Sequence, residues 1–177
     1  MSPVRAAHRL LEHDLNLCLS VNRWVRSPPV RHYFSTVSRL GDGVFWYTLM
    51  LLMPVLDPQR GWQASLHMAI VGILCLLLYR ALKRWSRRPR PLHRHRGIEA
   101  PVAPLDEFSF PSGHTLHAVA FSAVAIAYLP ILAWLLLPFA LSVAASRIVL
   151  GLHYPSDVLA ASAIALLLVK ASWLPLG

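Results

Sequence analysis

Acidic residues are scarce in this chain: eight Asp and Glu stand against 17 Lys and Arg. No paired carboxylates accompany its histidine motifs, so a two-metal hydrolase is not suggested. Cysteine is nearly absent. Cys18 lies in a polar N-terminal segment and Cys75 in an apolar run, which argues against a disulfide and gives no metal-ligand spacing. Charged residues make up only 14%, against about 25% in an ordinary soluble domain. With a mean hydropathy of +0.51, that deficit excludes a typical soluble surface and points to lipid. Arg5, Arg9, Glu12 and Asp14 interrupt the N-terminus before any long apolar core forms, so no cleavable leader is expected and insertion is left to internal segments. Internal repeats and low-complexity tracts are also missing.

The 177 residues suggest one domain, 1–177. The formal charge of +9 is clustered: eight of the 17 cations lie between Arg80 and Arg96 with no acid among them, and six more precede Gly41. Nucleic acid is one partner for such a run. Anionic lipid headgroups and phosphate substrates are the others, and the apolar flanks favour these over nucleic acid.

Residues 4–26 read as an amphipathic helix. Arg5, Arg9, Glu12, Asn16, Ser20 and Arg23 recur at helical spacing, with Leu10, Leu17, Val21 and Trp24 on the other side. It either lies in the membrane interface or packs on the bundle, and Ser27-Pro28-Pro29 ends it. Residues 32–56 become apolar from Val44, after a break at Gly41-Asp42-Gly43. Further spans are expected over 62–82, framed by Trp62, Tyr79 and Trp85 as interfacial aromatics, then over 113–129, 131–149 with Pro138 inside, and 155–174. Residues 83–112 read as a polar, Pro- and Arg-rich loop. The expected fold is therefore all-α: an integral-membrane helical bundle of about five transmembrane helices plus an N-terminal interfacial helix within residues 1–29. Two spans between His114 and Arg147 put the long loop and the 147–155 connection on one face.

Three stretches converge there: Lys83-x6-Arg90-Pro91, Pro111-Ser112-Gly113-His114 and Ser146-Arg147-x5-His153-x3-Asp157. Phosphoryl transfer is mostly positioning and stabilisation of the equatorial oxygens, and a planar guanidinium binds such oxygens in pairs. Lys83, Arg90 and Arg147 are the candidate cations. Arg147 follows a long apolar run, where a charge is costly and usually functional; Arg84, Arg87, Arg94 and Arg96 read instead as a positive-inside anchor. Ser112 suits an N-cap, Gly113 allows close backbone approach, and a helix start offers free N–H groups to an anion. Asp157, four residues after His153, can hold the imidazole N–H and fix its tautomer. His153 would be the nucleophile, forming a phosphohistidine; His114 would protonate the departing oxygen and then activate water, giving a bell-shaped pH–rate profile. His93 and His95, amid arginines, make a poor metal tract. His117 and His67 read as satisfied helix histidines.

Together these stretches resemble the phosphatidic acid phosphatase type 2 (PAP2) superfamily, whose pattern K-x6-RP, PSGH, SR-x5-H-x3-D is matched at every fixed position between residues 83 and 157. The resemblance implies a helical bundle with Lys83, Arg90, Ser112, Gly113 and Arg147 around the phosphate. It implies His153 as nucleophile, Asp157 as its partner, His114 as acid, and no required metal or cofactor. Many membrane members have six spans, and the smaller count here is similar to small bacterial undecaprenyl-pyrophosphate phosphatases. The expected substrate is thus undecaprenyl pyrophosphate, with phosphatidylglycerophosphate or phosphatidic acid as alternatives. A transporter or anionic-lipid-binding protein would not need the His153–Asp157 pair, and a vanadate-dependent peroxidase is disfavoured by the spans and short loops. Fifteen cations lie on the catalytic face against Arg60 and Lys170 on the other, which by charge alone would face the cytoplasm; the resemblance favours an outward-facing site in a bacterial inner membrane. Oligomeric state is open.

Overall fold

The computed structural model describes residues 3–173, with side chains described from residue 11 onward. The Arg5, Arg9 and Leu10 side chains of the amphipathic pattern, and residue 174 of the last expected span, lie outside the described residues. Among the described residues all regular structure is helical. The helices are α1 (Pro3–Asn22), α2 (Pro28–Leu40), α3 (Val44–Leu56), α4 (Gly61–Ser86), the one-turn α5 (Pro91–Arg94), α6 (Gly113–Tyr128), α7 (Ala133–Val149) and α8 (Pro155–Ser172), with 3-10 turns at Arg23–Arg26 and Pro130–Leu132.

Three segments are long and apolar enough to cross a membrane: Gly61–Ser86, Pro130–Val149 and Pro155–Ser172. Two further expected spans are shorter helices. Helix α3 has 13 residues and α6 has 16, about 24 Å for the latter. Helix α6 is the hub, packing against α4, α7 and α8. Its small residues Ala118, Ala120, Ser122 and Ala125 are buried and let the neighbouring backbones approach closely. Leu116, Phe121 and Val124 of α6 join Trp46, Met53, Met68, Leu136 and Ala165 in the main core. Outside, Leu51, Val55, Leu66, Ile73, Leu77, Leu135, Leu141, Leu159 and Leu167 are exposed. An apolar surface of that extent is suited to lipid, not water.

The sequence-based boundaries shift at three places. Proline at the first helical position starts a helix well, so Pro28 opens α2 and does not merely end α1. Helix α4 runs past Leu82 to Ser86, with Lys83 and Arg84 in its last turn, where cations suit the dipole. Lys83 is therefore a helix residue, not a loop residue. Trp62 and Trp85 are exposed at the ends of α4, but Tyr79 faces inward and joins the core.

Helix α1 presents an unexpected face. Asp14, Cys18 and Asn22, spaced by four, are buried, while Leu11, Leu17 and Trp24 are exposed. The polar residues turn inward because the bundle has partners for them: Asn22 donates to the carbonyls of Val149 and Glu99 at 2.8 Å each and accepts from the Glu99 N–H. At the far end of the bundle His67 bonds Ser172 Oγ at 2.7 Å and stacks edge-on to Trp173, a satisfied packing histidine as expected.

Candidate active site

The three sequence stretches meet around one cavity of about 780 Å³. Lys83, Arg90, Gly113, His114, Arg147 and His153 all line it, so the two proposed catalytic rings share a compartment.

His153 sits in a tight reversal between α7 and α8. Its backbone N–H and that of Leu152 both donate to the Arg147 carbonyl at 3.0 Å. The reversal depends on Gly151, whose φ of 67° is left-handed and whose missing side chain leaves room for Ile98. The ring is buried. Its Nε2 lies 3.1 Å from an Arg90 guanidinium nitrogen. Arginine has no acceptor, so Nε2 must carry the lone pair and Nδ1 the proton. Burial drives the His153 pKa down to about 3; Asp157 opposes this, and Arg90 and Arg147 add to it. The result is a neutral imidazole whose free electron pair is directed among cations.

Asp157 stands behind the ring, fully buried in the first turn of α8. Its Oδ2 is 3.6 Å from His153 Nδ1, beyond hydrogen-bond range. That oxygen is taken by the Tyr154 N–H at 2.9 Å and by the Ser109 hydroxyl. Arg88 holds Oδ1 at 2.7 Å and, with its other nitrogen, Asp14 at 2.6 Å. The Asp157 carboxylate is thus pinned by three groups, and α1 reaches it through Arg88.

The cations differ in how they are satisfied. Lys83 donates to both oxygens of Asp106 at 2.5 Å, and Arg90 donates to Asp106 Oδ1 at 2.8 Å. Burial pulls the Asp106 carboxyl up, but Lys83 and Arg90 outweigh it and hold the group below the usual carboxylate range. Arg90 also donates to the Leu152 carbonyl at 2.7 Å. Arg147, buried at the end of α7, bonds the Ser38 hydroxyl, while its Nε has no partner and no carboxylate pairs with it among the described residues. A buried guanidinium with a spare donor fits an anion.

Ser112 occupies the N-cap position of α6, yet its hydroxyl does not cap the helix; it pairs with Thr115 Oγ1 at 3.0 Å and is fully buried behind the lining. Gly113 does face the cavity. His114 bonds Asp42 from the α2–α3 turn. His117 is satisfied by the Gly113 carbonyl at 2.9 Å and also lines the cavity, as does Arg84. His93 and Arg94 of α5, and His95 and Arg96 just after it, are exposed, and among the described residues no three His, Cys, Asp or Glu gather as a metal set.

Sequence reasoning missed Asp42, Asp106, Arg88, Ser109 and Asp14. Four of them lie in turns or irregular loops, where no periodicity marks a direction. Asp14 lies off the polar stripe of the amphipathic pattern, one turn before Cys18, and no motif singles it out.

Away from the cationic end the cavity turns apolar. Trp46, Tyr47 and Met50 of α3, Ala69, Gly72, Ile73 and Leu76 of α4, and Phe121 of α6 line it. Tyr47 and Ile73 are also exposed on the outer apolar surface, so the cavity reaches the lipid-facing side between α3 and α4.

The PAP2 superfamily model matches residues 60–175. The chain is 29% identical over 164 residues to phosphatidylglycerophosphatase B of Bacillus subtilis, covering 81% of this chain and 74% of that one. It is 32% identical over 103 residues to the undecaprenyl-diphosphatase BcrC of the same organism, covering 58% of this chain and about half (53%) of BcrC. The crystal structure of a transmembrane PAP2 type phosphatidylglycerolphosphate phosphatase from Bacillus subtilis superposes with a TM-score of 0.75 at 26% identity, over 93% of this chain and 84% of that one.

Proposed function

The chain belongs to the PAP2 superfamily, and from that premise we propose that it is a membrane-embedded lipid phosphatase acting through a phosphohistidine. The observation that carries this is His153 Nε2 set 3.1 Å from Arg90 in the cavity that Arg147 also lines.

The phosphate enters between Arg147, Arg90, Lys83 and the N–H groups at the start of α6. The cations neutralise the equatorial oxygens, and Asp106 gives up part of its hold on Lys83 and Arg90 to admit them. Arg90 shifts its donor from His153 Nε2 to a phosphate oxygen, and the freed lone pair of Nε2 attacks phosphorus; the P–N bond forms as the P–O bond to the lipid breaks. His114 gives its proton to the departing oxygen. The same ring then takes a proton from water, whose oxygen attacks phosphorus, and the P–N bond breaks to release inorganic phosphate. The proton on His153 Nδ1 faces Asp157, which stabilises the imidazolium-like charge formed during attack. The 3.6 Å gap closes with a small ring rotation. No step calls for a metal ion.

The apolar half of the cavity seats the lipid tail. Undecaprenyl diphosphate, giving undecaprenyl phosphate, is the first candidate, supported by the likeness to BcrC. Phosphatidylglycerophosphate is the second, because the likeness to phosphatidylglycerophosphatase B spans more of both chains. We put the site on the outer side of a bacterial inner membrane, a reading that the family resemblance supports.

The test is phosphate release by purified protein in detergent with a chelator present. The panel is undecaprenyl diphosphate, phosphatidylglycerophosphate and phosphatidic acid, compared as kcat/KM. Turnover that survives the chelator and is lost in a folded His153→Ala variant is expected. Undiminished turnover in that variant would sink the nucleophile assignment, and activity only after metal addition would sink the metal-free scheme.

A further inference from the structure

We propose that Asp42 is a positioning residue for His114, so that the proton donor has a carboxylate of its own just as His153 has Asp157. The inference rests on the reading of His114 as general acid and goes beyond the three sequence stretches, none of which contains Asp42.

The turn joining α2 to α3 is shaped for this contact. Gly43 has a φ of 135°, a conformation side-chain-bearing residues rarely adopt. Gly41 lies against α7, where an added Cβ would stand 3.2 Å from Val143. Between them Asp42 projects into the cavity lining. Its Oδ1 meets His114 Nε2, and among the described residues no Lys or Arg forms an ion pair with it. Its charge is therefore available to the imidazole. The other charged or titratable groups acting on that ring are Arg147 from α7 and His117 on the same helix. Both bear positive charge when protonated, so Asp42 is the acidic group that favours a proton on His114.

The contact also settles which nitrogen works. With Nε2 committed to the carboxylate, Nδ1 is left to carry the proton to the departing oxygen; among the described residues it makes no hydrogen bond. An acid held this way matters most when the departing group is strongly basic. An alkyl oxygen leaving from a glycerol phosphate needs a proton in the transition state, whereas a nitrophenolate does not.

The experiment compares kcat/KM, which reports the step that expels the departing group and not the later attack of water, for phosphatidylglycerophosphate and p-nitrophenyl phosphate in wild type, Asp42→Asn, Asp42→Ala, Asp42→Glu and His114→Gln, each with an unfolding midpoint measured in detergent. Asp42→Asn and Asp42→Ala are expected to lose roughly 10- to 100-fold on the alkyl substrate, a part of the range that general acids supply. Their loss on p-nitrophenyl phosphate is expected to stay within about threefold, and Asp42→Glu to recover part of the alkyl rate. His114→Gln should show the same selective loss, larger. A loss of equal size on both substrates, or no loss, in the Asp42 variants alongside a selective loss in His114→Gln would overturn the role of Asp42 and leave that of His114 intact. An unselective His114→Gln would instead overturn the general-acid reading.

Discussion

Replacing Arg88 by alanine removes one side chain from four partners. Its guanidinium holds Asp157 at 2.7 Å, Asp14 at 2.6 Å and the Ser156 hydroxyl at 2.7 Å, and lies 4.1 Å from the Tyr154 ring centre. The Arg88 side chain is 18% exposed, Asp14 10% and Asp157 0%. Solvent screening is therefore weak, and the pairs belong with buried ones. Breaking a buried pair from one side leaves the other charge without compensation, at a cost of about 3–5 kcal/mol. Asp157 keeps only the Ser109 hydroxyl and the Tyr154 N–H, neither of them charged. For a chain of this size that loss is about 6–20 °C in unfolding midpoint, at roughly 2–4 °C per kcal/mol. The assay is thermal unfolding in detergent for Arg88→Ala, Asp157→Asn and the double variant. Because Asp157→Asn removes the charge that Arg88 compensates, the double variant should be well short of the sum, by about 1–3 kcal/mol. Additivity within about 0.5 kcal/mol would show that Arg88 does not act on Asp157 and would refute the account of how the carboxylate is held.

Three further outcomes are expected. Burial holds the His153 pKa down at about 3, against an ordinary value of 6.5. The unfolded chain therefore binds a proton that the folded chain does not over that interval; the contribution of His153 to stability is full above pH 6.5 and falls as pH drops towards 3, and an unfolding midpoint whose pH slope there is the same in His153→Asn would contradict it. Asp106→Asn frees Lys83 and Arg90, so inhibition by inorganic phosphate should tighten about fivefold, equivalent to about 1 kcal/mol, a figure reduced because the Asp106 side chain is 38% exposed; unchanged or weaker phosphate inhibition would contradict the competition. Leu76→Trp fills the apolar half of the cavity; displacing two tail methylenes costs about 1.6 kcal/mol, roughly 15-fold in KM for a long-chain lipid, with the KM for p-nitrophenyl phosphate unchanged, and an equal rise for both substrates would remove the tail from that groove.

Much of this arrangement was legible in the sequence, for identifiable reasons. Apolar runs bounded by Pro and Trp gave the bundle its helices. The parity of two spans between His114 and Arg147 put Arg90, His114 and His153 into one cavity. The carboxylates that tune the site were not legible. Asp42 and Asp106 act from irregular turns, and only the folded chain shows that they face His114 and Lys83. Helix α1 was legible only in part: Glu12, Asn16, Ser20 and Arg23 are exposed as their spacing indicates, but no pattern marks Asp14 and Asn22. Those two turn inward because Arg88 and the Val149 carbonyl need partners. Ser112 shows the same limit on a smaller scale, since a neighbouring Thr115 hydroxyl competes for the side chain that would otherwise cap α6.

The most direct test of the account is to mix the enzyme with a lipid phosphate labelled at its transferred phosphorus, quench in alkali within a turnover, and map the label by peptide. Phosphate on His153, stable to alkali and released by acid, is the result the account predicts. Turnover without a labelled peptide, or label on any residue other than His153, would contradict it.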